Sequence, residues 1–199
     1  MTSLVSFLAI GSPPATEWET PVVISLQLFT ILFLVLLNGF FVASEFAIVK
    51  VRGSQLNALG EDAKFARHVV SHLDAYLSAT QLGITLASLG LGWIGEPFLA
   101  RMLEPFFALA GVTAPAVIHG VSFGLAFATI TFLHIVIGEL APKSLAIRKS
   151  VATTLWVTRP LGLFYTVFKP AIWLLNGAAN WLLKNLLRVD PVGESERAH

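Results

Sequence analysis

The sequence predicts an all-α integral membrane protein with three transmembrane helices, followed by juxtamembrane amphipathic helices that form a belt at the membrane surface. Composition is the first observation behind this fold class. Of the 199 residues, 55% are hydrophobic and 13% are charged, and the mean hydropathy is +0.76. Soluble domains contain about 25% charged residues, so a soluble globule of this composition would lack the polar side chains needed to cover its surface. A lipid bilayer is therefore the expected environment.

The distribution of charge is the second observation, and it locates the spans. Asp, Glu, Lys and Arg are absent from residues 21–44, 75–95 and 105–138, which are 24, 21 and 34 residues long. Each stretch is longer than the roughly 18 residues at which an apolar segment is expected to form a membrane-spanning helix. One transmembrane helix is therefore predicted in each.

Beyond residue 150 the chain remains apolar but is interrupted. Arg159 and Lys169 divide it at intervals too short for a span, and Pro160 and Pro170 interrupt the helical pattern. Amphipathic helices joined at proline kinks and lying on the membrane surface are expected here. The predicted organisation is an outer N-terminal segment (1–20), a three-span core (21–150), belt helices (151–190) and a cytosolic tail (191–199).

The basic residues predict the orientation. Residues 1–49 contain no Lys or Arg, 50–74 contain four, 96–104 contain one, and 139–199 contain eight. Cytoplasmic connections carry the excess of basic residues, so the N-terminus is predicted outside and the C-terminus in the cytosol of a multi-pass protein of the cell (inner) membrane. A signal peptide in residues 1–10 is the weaker alternative, because no basic region precedes its short apolar core.

Several function classes are excluded by what the sequence lacks. It has no cysteine, which removes disulfide frameworks, thiolate zinc sites and Cys nucleophiles. A formal net charge of +1 argues against nucleic acid as a partner, and no metalloprotease, P-loop or dinucleotide motif is present. Residues 120–124 match the hydrolase pattern G-x-S-x-G but lie within a long apolar helix. Gly120 and Gly124 are therefore interpreted as a helix-packing face, and an enzyme is not expected.

The first predicted span ends in small and polar side chains. Ser44 is a candidate metal ligand, and Asn38 and Glu45 share a face that is a candidate lining of an ion pathway. Glu45 has an alternative role, since it is close enough to the cytosolic end to reach water or to pair with Arg52. A ridge of small residues that allows another helix to approach closely is formed by Gly39, Ala43 and Ala47.

Polar residues recur along one face of the second span. Their helical spacing places them in a single stripe, which consists of Ser78, Gln81, Thr85, Ser88 and Gly92. One interpretation is a helix–helix contact, because small and hydroxyl residues line such interfaces. The other is an ion site. An amide such as Gln81 is costly at membrane depth, and nearby glycines, Gly90 among them, would free carbonyl ligands if the helix unwound.

The third span ends at a proline that is expected to break the helix. Pro142 removes a backbone donor and disfavours helical geometry at Ala141, which would leave carbonyls near Gly138 without partners. Glu139 beside such carbonyls would suit a hard cation. The alternative is that Glu139 pairs with Lys143 one turn further on.

The candidate ligands favour Mg²⁺ over softer metals. They are hydroxyl, carboxylate and carbonyl oxygens, which Mg²⁺ prefers, whereas softer metals prefer imidazole and thiolate. His134 is expected to be a hydrogen-bonded residue along the pathway rather than a ligand. Moving a divalent cation outward against about 100 mV costs about 4.6 kcal/mol, and no ATP-binding motif is present to supply that energy. Coupling to inward Na⁺ is therefore expected if the ion is exported.

Three motifs, one for each predicted span, follow in order along the chain. They are Asn38–Ala47 (NGFFVASEFA), Ser78–Pro97 (SATQLGITLASLGLGWIGEP) and Gly138–Ser144 (GELAPKS). Together they resemble the transmembrane module of the CNNM/CorC family over roughly residues 20–190. The resemblance implies a homodimeric Mg²⁺ transporter that exports Mg²⁺ in exchange for Na⁺. It implies an ion site at Ser44, at Ser88 to Gly90, and at Gly138 and Glu139.

The same resemblance implies further domains. Members of the family usually continue into paired cytosolic CBS domains, so this chain is expected to be truncated before them and to lack the regulatory nucleotide site. Two other functions stay open. One is a membrane-embedded Mg²⁺ sensor or scaffold that binds the ion without moving it, and the other is an intramembrane hydrolase that uses Ser122.

Overall fold

The computed structural model describes residues 20–112 and 114–187, and every regular element among them is a helix. The α-helices are α1 (Pro21–Lys50), α2 (Gly53–Asn57), α3 (Lys64–Ser71), α4 (Leu73–Leu109), α5 (Pro115–Leu133), α6 (Ala141–Arg148) and α7 (Ser150–Leu182). A 3₁₀ turn lies at Gly60–Ala63, and π-helical turns lie at His134–Leu140 and Leu183–Leu187. The predicted segments 1–20 and 191–199, and the alternative signal peptide, lie outside the described residues except for Thr20.

Three helical segments are long and apolar enough to cross a membrane, which confirms the predicted fold class. They are Pro21–Lys50, Leu73–Phe107 and Pro115–Arg148, with 30, 35 and 34 residues. At 1.5 Å per residue, helices of these lengths are about 45–52 Å long, which exceeds a hydrocarbon core of about 30 Å. Large apolar side chains point outward from them, with Phe29, Trp93 and Phe132 exposed by 66%, 83% and 65%. Such a surface requires lipid or a protein partner to cover it.

The connection between α4 and α5 is short, and its residues account for the end of α4 and the start of α5. The amide of Val112 donates to the carbonyl of Phe107 at 3.1 Å, which is the hydrogen bond of a Schellman motif. Gly111 has a φ of 79°, a left-handed conformation that glycine adopts without steric cost. Pro115 then occupies the first turn of α5, where its missing amide hydrogen is not needed.

Prolines lie inside two of the long helices. Pro97 and Pro105 lie within α4, and Pro160 and Pro170 lie within α7. The structure therefore differs from the expected series of separate belt helices, because Ser150–Leu182 forms one helix of 33 residues. Each proline removes a single backbone hydrogen bond, and the bonds on either side maintain the helix.

The chain divides into two compact units. One comprises Met1–Ala43 and Gly83–Leu145, and the other comprises Ser44–Leu82 and Ala146–His199. In the first unit, α1, α4 and α5 pack together through a buried apolar core. Its members are Ile31, Val35, Leu91, Phe98 and Ile130.

In the second unit, the short elements that follow α1 pack against the start of α7. Their buried core consists of Val51, Leu56, Ala63 and Ala66, with Val151 and Leu155 packed against it. The guanidinium of Arg67 donates to the carbonyls of Leu56 at 3.2 Å and Gly60 at 2.5 Å. These bonds connect α3 to the end of α2 and to the 3₁₀ turn that follows it.

A close contact between Phe65 and Gly162 in the second unit leads to a stability prediction. A Cβ atom at Gly162 would lie 2.5 Å from Cζ of Phe65. We expect Gly162→Ala to destabilise the protein by about 1–3 kcal/mol, because the ring must move within a packed contact. The measurement is thermal unfolding in detergent. Gly177→Ala is the matched control on the same helix, since nothing lies within 4 Å of a Cβ there; an equal loss in both variants would contradict the packing argument.

Candidate functional site

The π-helical turn His134–Leu140, which joins α5 to α6, is the centre of a polar cluster in the first unit. In a regular α-helix the amide of residue 142 would donate to the carbonyl of Gly138, but Pro142 has no amide hydrogen. The helix widens just before the proline into i to i+5 hydrogen bonding, a geometry that is frequent at functional sites. The carbonyl of Gly138 is thereby available to another donor.

The predicted break at Pro142 is wrong. Ala141 has helical dihedral angles, with φ −67° and ψ −49°, and α6 continues without interruption to Arg148. The wider turn accommodates the proline, so the helix does not have to end. The expectation of unpartnered carbonyls also needs correction, because a side chain from α1 binds the carbonyl of Gly138.

Asn38 of α1 connects the three long helices of this unit. Its side chain is fully buried, and its Nδ2 donates to the carbonyl of Gly138 at 3.0 Å. Oγ of Ser88, on α4, donates to Oδ1 of Asn38 at 3.1 Å and lies 3.2 Å from Nε2 of His134. A continuous chain of hydrogen bonds therefore runs from Gly138 through Asn38 and Ser88 to His134. The contact with Ser88 agrees with a hydrogen-bonded His134, and its place along an ion pathway stays a prediction.

The carbonyl of Gly138 at one end of this series of hydrogen bonds determines which atom donates at each step. A carbonyl only accepts, so Asn38 must present its amide nitrogen to Gly138 and its oxygen to Ser88. Ser88 has a single hydroxyl hydrogen, which it donates to that oxygen. Nε2 of His134 must therefore carry a hydrogen and donate to Ser88. The oxygen of Ser88 keeps one lone pair that this chain does not use.

Glu139 lies next to this series of hydrogen bonds. Its Oε1 is 3.8 Å from Nε2 of His134, and its side chain is 46% exposed. Nowhere in the described part of the chain do three or more His, Cys, Asp or Glu side chains gather as a metal site. A cation at this cluster would therefore be held by one carboxylate, neutral oxygens and water. Mg²⁺ is commonly bound in this way, because it keeps several of its waters.

Glycines allow the backbones to approach at the cluster. A Cβ at Gly39 would lie 2.9 Å from Cγ of Pro142, and a Cβ at Gly138 would lie 3.1 Å from Nδ2 of Asn38. Neither position has room for a larger residue without moving its neighbour. The close approach brings the amide of Asn38 into hydrogen-bonding distance of the third span.

A cavity of about 110 Å³ opens between α4 and α5 beside the cluster. This volume is sufficient for several water molecules. Its lining is formed by Ser88, Leu91, Gly92, Glu96, Phe127, Ile130, Thr131 and His134. Ser88 and His134 belong to both the cavity and the hydrogen-bond chain, so the cluster is in contact with this water-sized space.

Five of the ten residues predicted from the sequence come together here, namely Asn38, Ser88, His134, Gly138 and Glu139.

The unwinding suggested for the second span is absent, since α4 runs unbroken through Gly90, where a Cβ would lie 3.4 Å from Leu34. Gln81 and Thr85 are exposed. Ser44, fully buried, and Glu45, half-buried, belong to the second unit.

The hydrolase alternative finds no support at Ser122. The residue lies inside α5 rather than at a turn between a strand and a helix, and it is fully buried. Its Oγ has no hydrogen-bond partner among the described residues. A nucleophilic serine needs a general base within hydrogen-bonding reach.

Sequence reasoning missed Glu96 and Thr131, which line the cavity. Glu96 directly follows the uncharged stretch 75–95 that predicts the second span. The helix instead continues for 13 more residues to Leu109, so Glu96 lies inside it. Arg101 and Glu104 interrupt the apolar pattern beyond Glu96, so the sequence has no clear signal for the longer helix.

Fold and site together define a helical membrane protein with three spans and a buried polar cluster between them. Comparison with known sequences gives the family. The Cyclin M transmembrane N-terminal domain matches residues 29–199. The chain therefore belongs to the CNNM transmembrane domain family, which is associated with Mg²⁺ transport and whose members are generally transporters rather than enzymes.

Bacterial relatives are similar over most of this chain. UPF0053 protein YugS of Bacillus subtilis is 50% identical over 163 residues, which cover 80% of this chain and 38% of YugS. UPF0053 protein YhdT of the same organism is 49% identical, with 83% and 36% covered. UPF0053 protein sll0260 of Synechocystis is 33% identical, with 81% and 37% covered. The chain thus spans about two fifths of the length of these relatives.

Proposed function

We propose that this chain is the membrane module of a secondary Mg²⁺ transporter that exports Mg²⁺ in exchange for Na⁺. The observation that carries the proposal is the oxygen-rich cluster at the π-helical turn, where Asn38, Ser88, Gly138 and Glu139 come together beside a water-sized cavity. Ser44 and Gly90 are further ligands that the sequence and the family resemblance suggest, and they lie outside this hydrogen-bonded cluster.

The chemistry of the cluster supports a hydrated divalent cation of the Mg²⁺ type. One carboxylate, one amide oxygen, one hydroxyl and one backbone carbonyl are hard oxygen donors, and retained waters would complete six-fold coordination. A buried amide without a partner would cost about 1–3 kcal/mol, which the hydrogen bonds of Asn38 avoid in the ion-free form. When a cation binds, its attraction for Oδ1 of Asn38 would replace the hydrogen bond from Ser88.

Na⁺ coupling follows from the energetics of export. Carrying two charges outward against about 100 mV requires about 4.6 kcal/mol, which inward movement of Na⁺ can supply. The sequence has no nucleotide-binding motif that would serve instead. Further domains in the whole protein, such as CBS domains, are part of this proposal and would regulate the membrane module rather than carry the ion.

Flux through sealed liposomes is the experiment that tests the proposal. Reconstituted protein with an Mg²⁺-sensitive dye trapped inside should change the internal Mg²⁺ concentration when a Na⁺ gradient is applied. Replacement of Na⁺ by choline should abolish the effect. Binding of Mg²⁺ without flux under either condition would favour a sensor or scaffold instead, and no binding would reject both functions.

We further propose that the chain forms a homodimer in the membrane through the outer face of α5. Gly120 and Gly124 have nothing within 4 Å of an added Cβ, so this small-residue face is free to receive a second copy. The ridge at Gly39, Ala43 and Ala47, in contrast, is buried within the chain. The outer face of α5 is therefore the proposed dimer surface.

Leucine at both Gly120 and Gly124 is expected to convert the dimer to a monomer, because two large side chains would separate the backbones. Light scattering in detergent and native mass spectrometry of nanodiscs measure the change. Gly177→Leu, at another glycine with open space around it, is the matched control and should leave the dimer intact. A monomeric unmodified protein would contradict the proposal.

The proposed orientation places the end of α7 in the cytosol. The chain has no native cysteine, so a single introduced one reports its own position. Cysteine at the exposed Lys184 should react with an impermeant maleimide only after cells are opened, whereas cysteine at the exposed Ala110, between α4 and α5, should react in intact cells. The reverse pattern would invert the topology.

A further inference from the structure

The long helix α7 carries a row of large apolar side chains on its outer surface. It has 33 residues and is not among the three segments of the described chain that are apolar enough to cross a membrane. At about 100° per residue, the row lies within a face about 40° wide, and the buried residues of the helix, such as Val157 and Leu161, lie on a different face. Each member of the row is 63–69% exposed, and the members are Trp156, Leu163, Val167, Leu174 and Trp181. A continuous row of this kind needs apolar surroundings.

Basic side chains lie beside this apolar row. Arg159, Lys169 and Lys184 fall on a neighbouring face of α7, about a quarter of a turn away, and all three are exposed. Within residues 20–112 and 114–187, none of the three has an ion pair or a side-chain hydrogen bond. Their charges are therefore available to a ligand from outside the chain.

The sequence around α7 carries charge of one sign only. Residues 140–189 contain seven Lys and Arg and no Asp or Glu. Residues 50–74, the other basic connection, contain four Lys and Arg but also three Asp and Glu, so their charges nearly cancel. Four to eight basic residues on an amphipathic helix close to a span are typical of surfaces that bind anionic lipid. The charge pattern thus selects α7 and an anionic partner.

Two contacts within the second unit place α7 beside the first turns of the second span. The rings of Tyr76 and Tyr165 have centroids 4.9 Å apart, and Oγ of Ser78 lies 3.0 Å from Oδ1 of Asn176. Tyr76 and Ser78 are the second and fourth residues of the uncharged stretch 75–95. The helix therefore lies where this span enters the membrane, at the level of the phospholipid headgroups.

We propose that α7 is a binding surface for anionic phospholipids. Arg159, Lys169 and Lys184 bind the headgroup phosphates, and the apolar row lies among the acyl chains. A second copy of this chain fits the surface poorly, because it would bring the same uncompensated positive charges to the interface. A zwitterionic lipid would cover the apolar row but would supply no net counter-charge to the basic face. This surface is separate from the proposed ion site and does not depend on it.

Lipid binding to the purified 199-residue chain in detergent tests the surface. Native mass spectrometry measures the affinity for phosphatidylglycerol and for phosphatidylcholine with the same acyl chains, which differ in net charge. Phosphatidylglycerol should bind about tenfold more tightly. The combined change Arg159→Gln, Lys169→Gln and Lys184→Gln should lower the affinity for phosphatidylglycerol by about tenfold or more, because each basic residue near an anionic surface contributes a factor of about five. The affinity for phosphatidylcholine should change by less than about twofold.

The matched control keeps every charge and exchanges the side chains. Arg159→Lys, Lys169→Arg and Lys184→Arg together should retain the preference for phosphatidylglycerol. Monodisperse elution and an unchanged unfolding temperature without lipid show that each variant is folded. Should the glutamine variant not fold, a rise in ionic strength tests the unmodified protein, because salt should remove the preference for phosphatidylglycerol while binding of phosphatidylcholine persists.

Three results would overturn the lipid surface. One is equal affinity of the unmodified protein for the two lipids, and another is a glutamine variant that keeps the full preference for phosphatidylglycerol. The third is a glutamine variant that changes its oligomeric mass at unchanged affinity for phosphatidylglycerol, since the basic face would then belong to a contact with a second copy.

Discussion

Replacement of Glu139 by Gln is expected to lower the affinity for Mg²⁺ by about 10- to 100-fold, equivalent to about 1.4–2.8 kcal/mol. Glutamine has nearly the same shape but no charge, so the packing around the π-helical turn should persist. The formal negative charge beside the hydrogen-bond chain would be lost, and neutral oxygens alone offset little of the cost of dehydrating a divalent cation. Calorimetric titration of the purified protein measures the difference.

Two further variants rank the contributions to the same affinity. Ser44→Ala should cost less than Glu139→Gln, because a water can replace a lost hydroxyl in a hydrated site. Glu45→Gln should have the smallest effect of the three and serves as the matched control for loss of a carboxylate. Normal binding by Glu139→Gln together with failure of Glu45→Gln would move the carboxylate ligand to the end of the first span.

The spans could be predicted from the sequence because charge is expensive in a bilayer. Lipid excludes Lys, Arg, Asp and Glu so strongly that their absence over 21 or more consecutive residues indicates a segment surrounded by lipid. The ends of the helices were less accessible to this reasoning. The uncharged stretch of the second span ends at residue 95, but α4 continues through Glu96 to Leu109.

The glycines of the second span show a different limit. Their density suggested a helix that unwinds to expose carbonyls, whereas α4 is continuous and its glycines allow close packing. A Cβ at Gly83 would lie 2.5 Å from the ring of Phe41, and one at Gly95 would lie 3.2 Å from Ile130. A sequence shows that a position lacks a side chain, but only tertiary structure shows which neighbour occupies the space.

Each residue of the cluster could be identified within its own span. The hydrogen bonds that connect these residues could not be predicted. Asn38 and Ser88 are separated by 50 positions, and Asn38 and Gly138 by 100, and no periodicity relates residues so far apart. Pro142 was correctly recognised as removing the donor to a carbonyl near Gly138. What could not be derived is that a side chain from the first span would supply the replacement.

Replacement of Pro142 by Ala is therefore expected to weaken Mg²⁺ binding without lowering the stability of the protein. Alanine restores an amide hydrogen four residues after Gly138 and fits a regular α-helix. The new amide would compete with Nδ2 of Asn38 for the carbonyl of Gly138, so the wide turn would tighten and Asn38 would lose its fixed orientation. We expect Mg²⁺ affinity to fall by about tenfold, or about 1.4 kcal/mol, while the unfolding temperature stays the same or rises.

Pro170→Ala is the matched control, since Pro170 is also inside a helix but is exposed on α7 in the second unit. This variant should gain similar helix stability and keep its Mg²⁺ affinity. The decisive comparison is calorimetry on both variants, together with the unfolding temperature of each. If Pro142→Ala lost affinity only in proportion to lost stability, the proline would be needed for folding alone. If it bound Mg²⁺ as tightly as the unmodified protein, the π-helical turn would not be required for the ion site, and the role assigned to the Gly138 carbonyl would have to be abandoned.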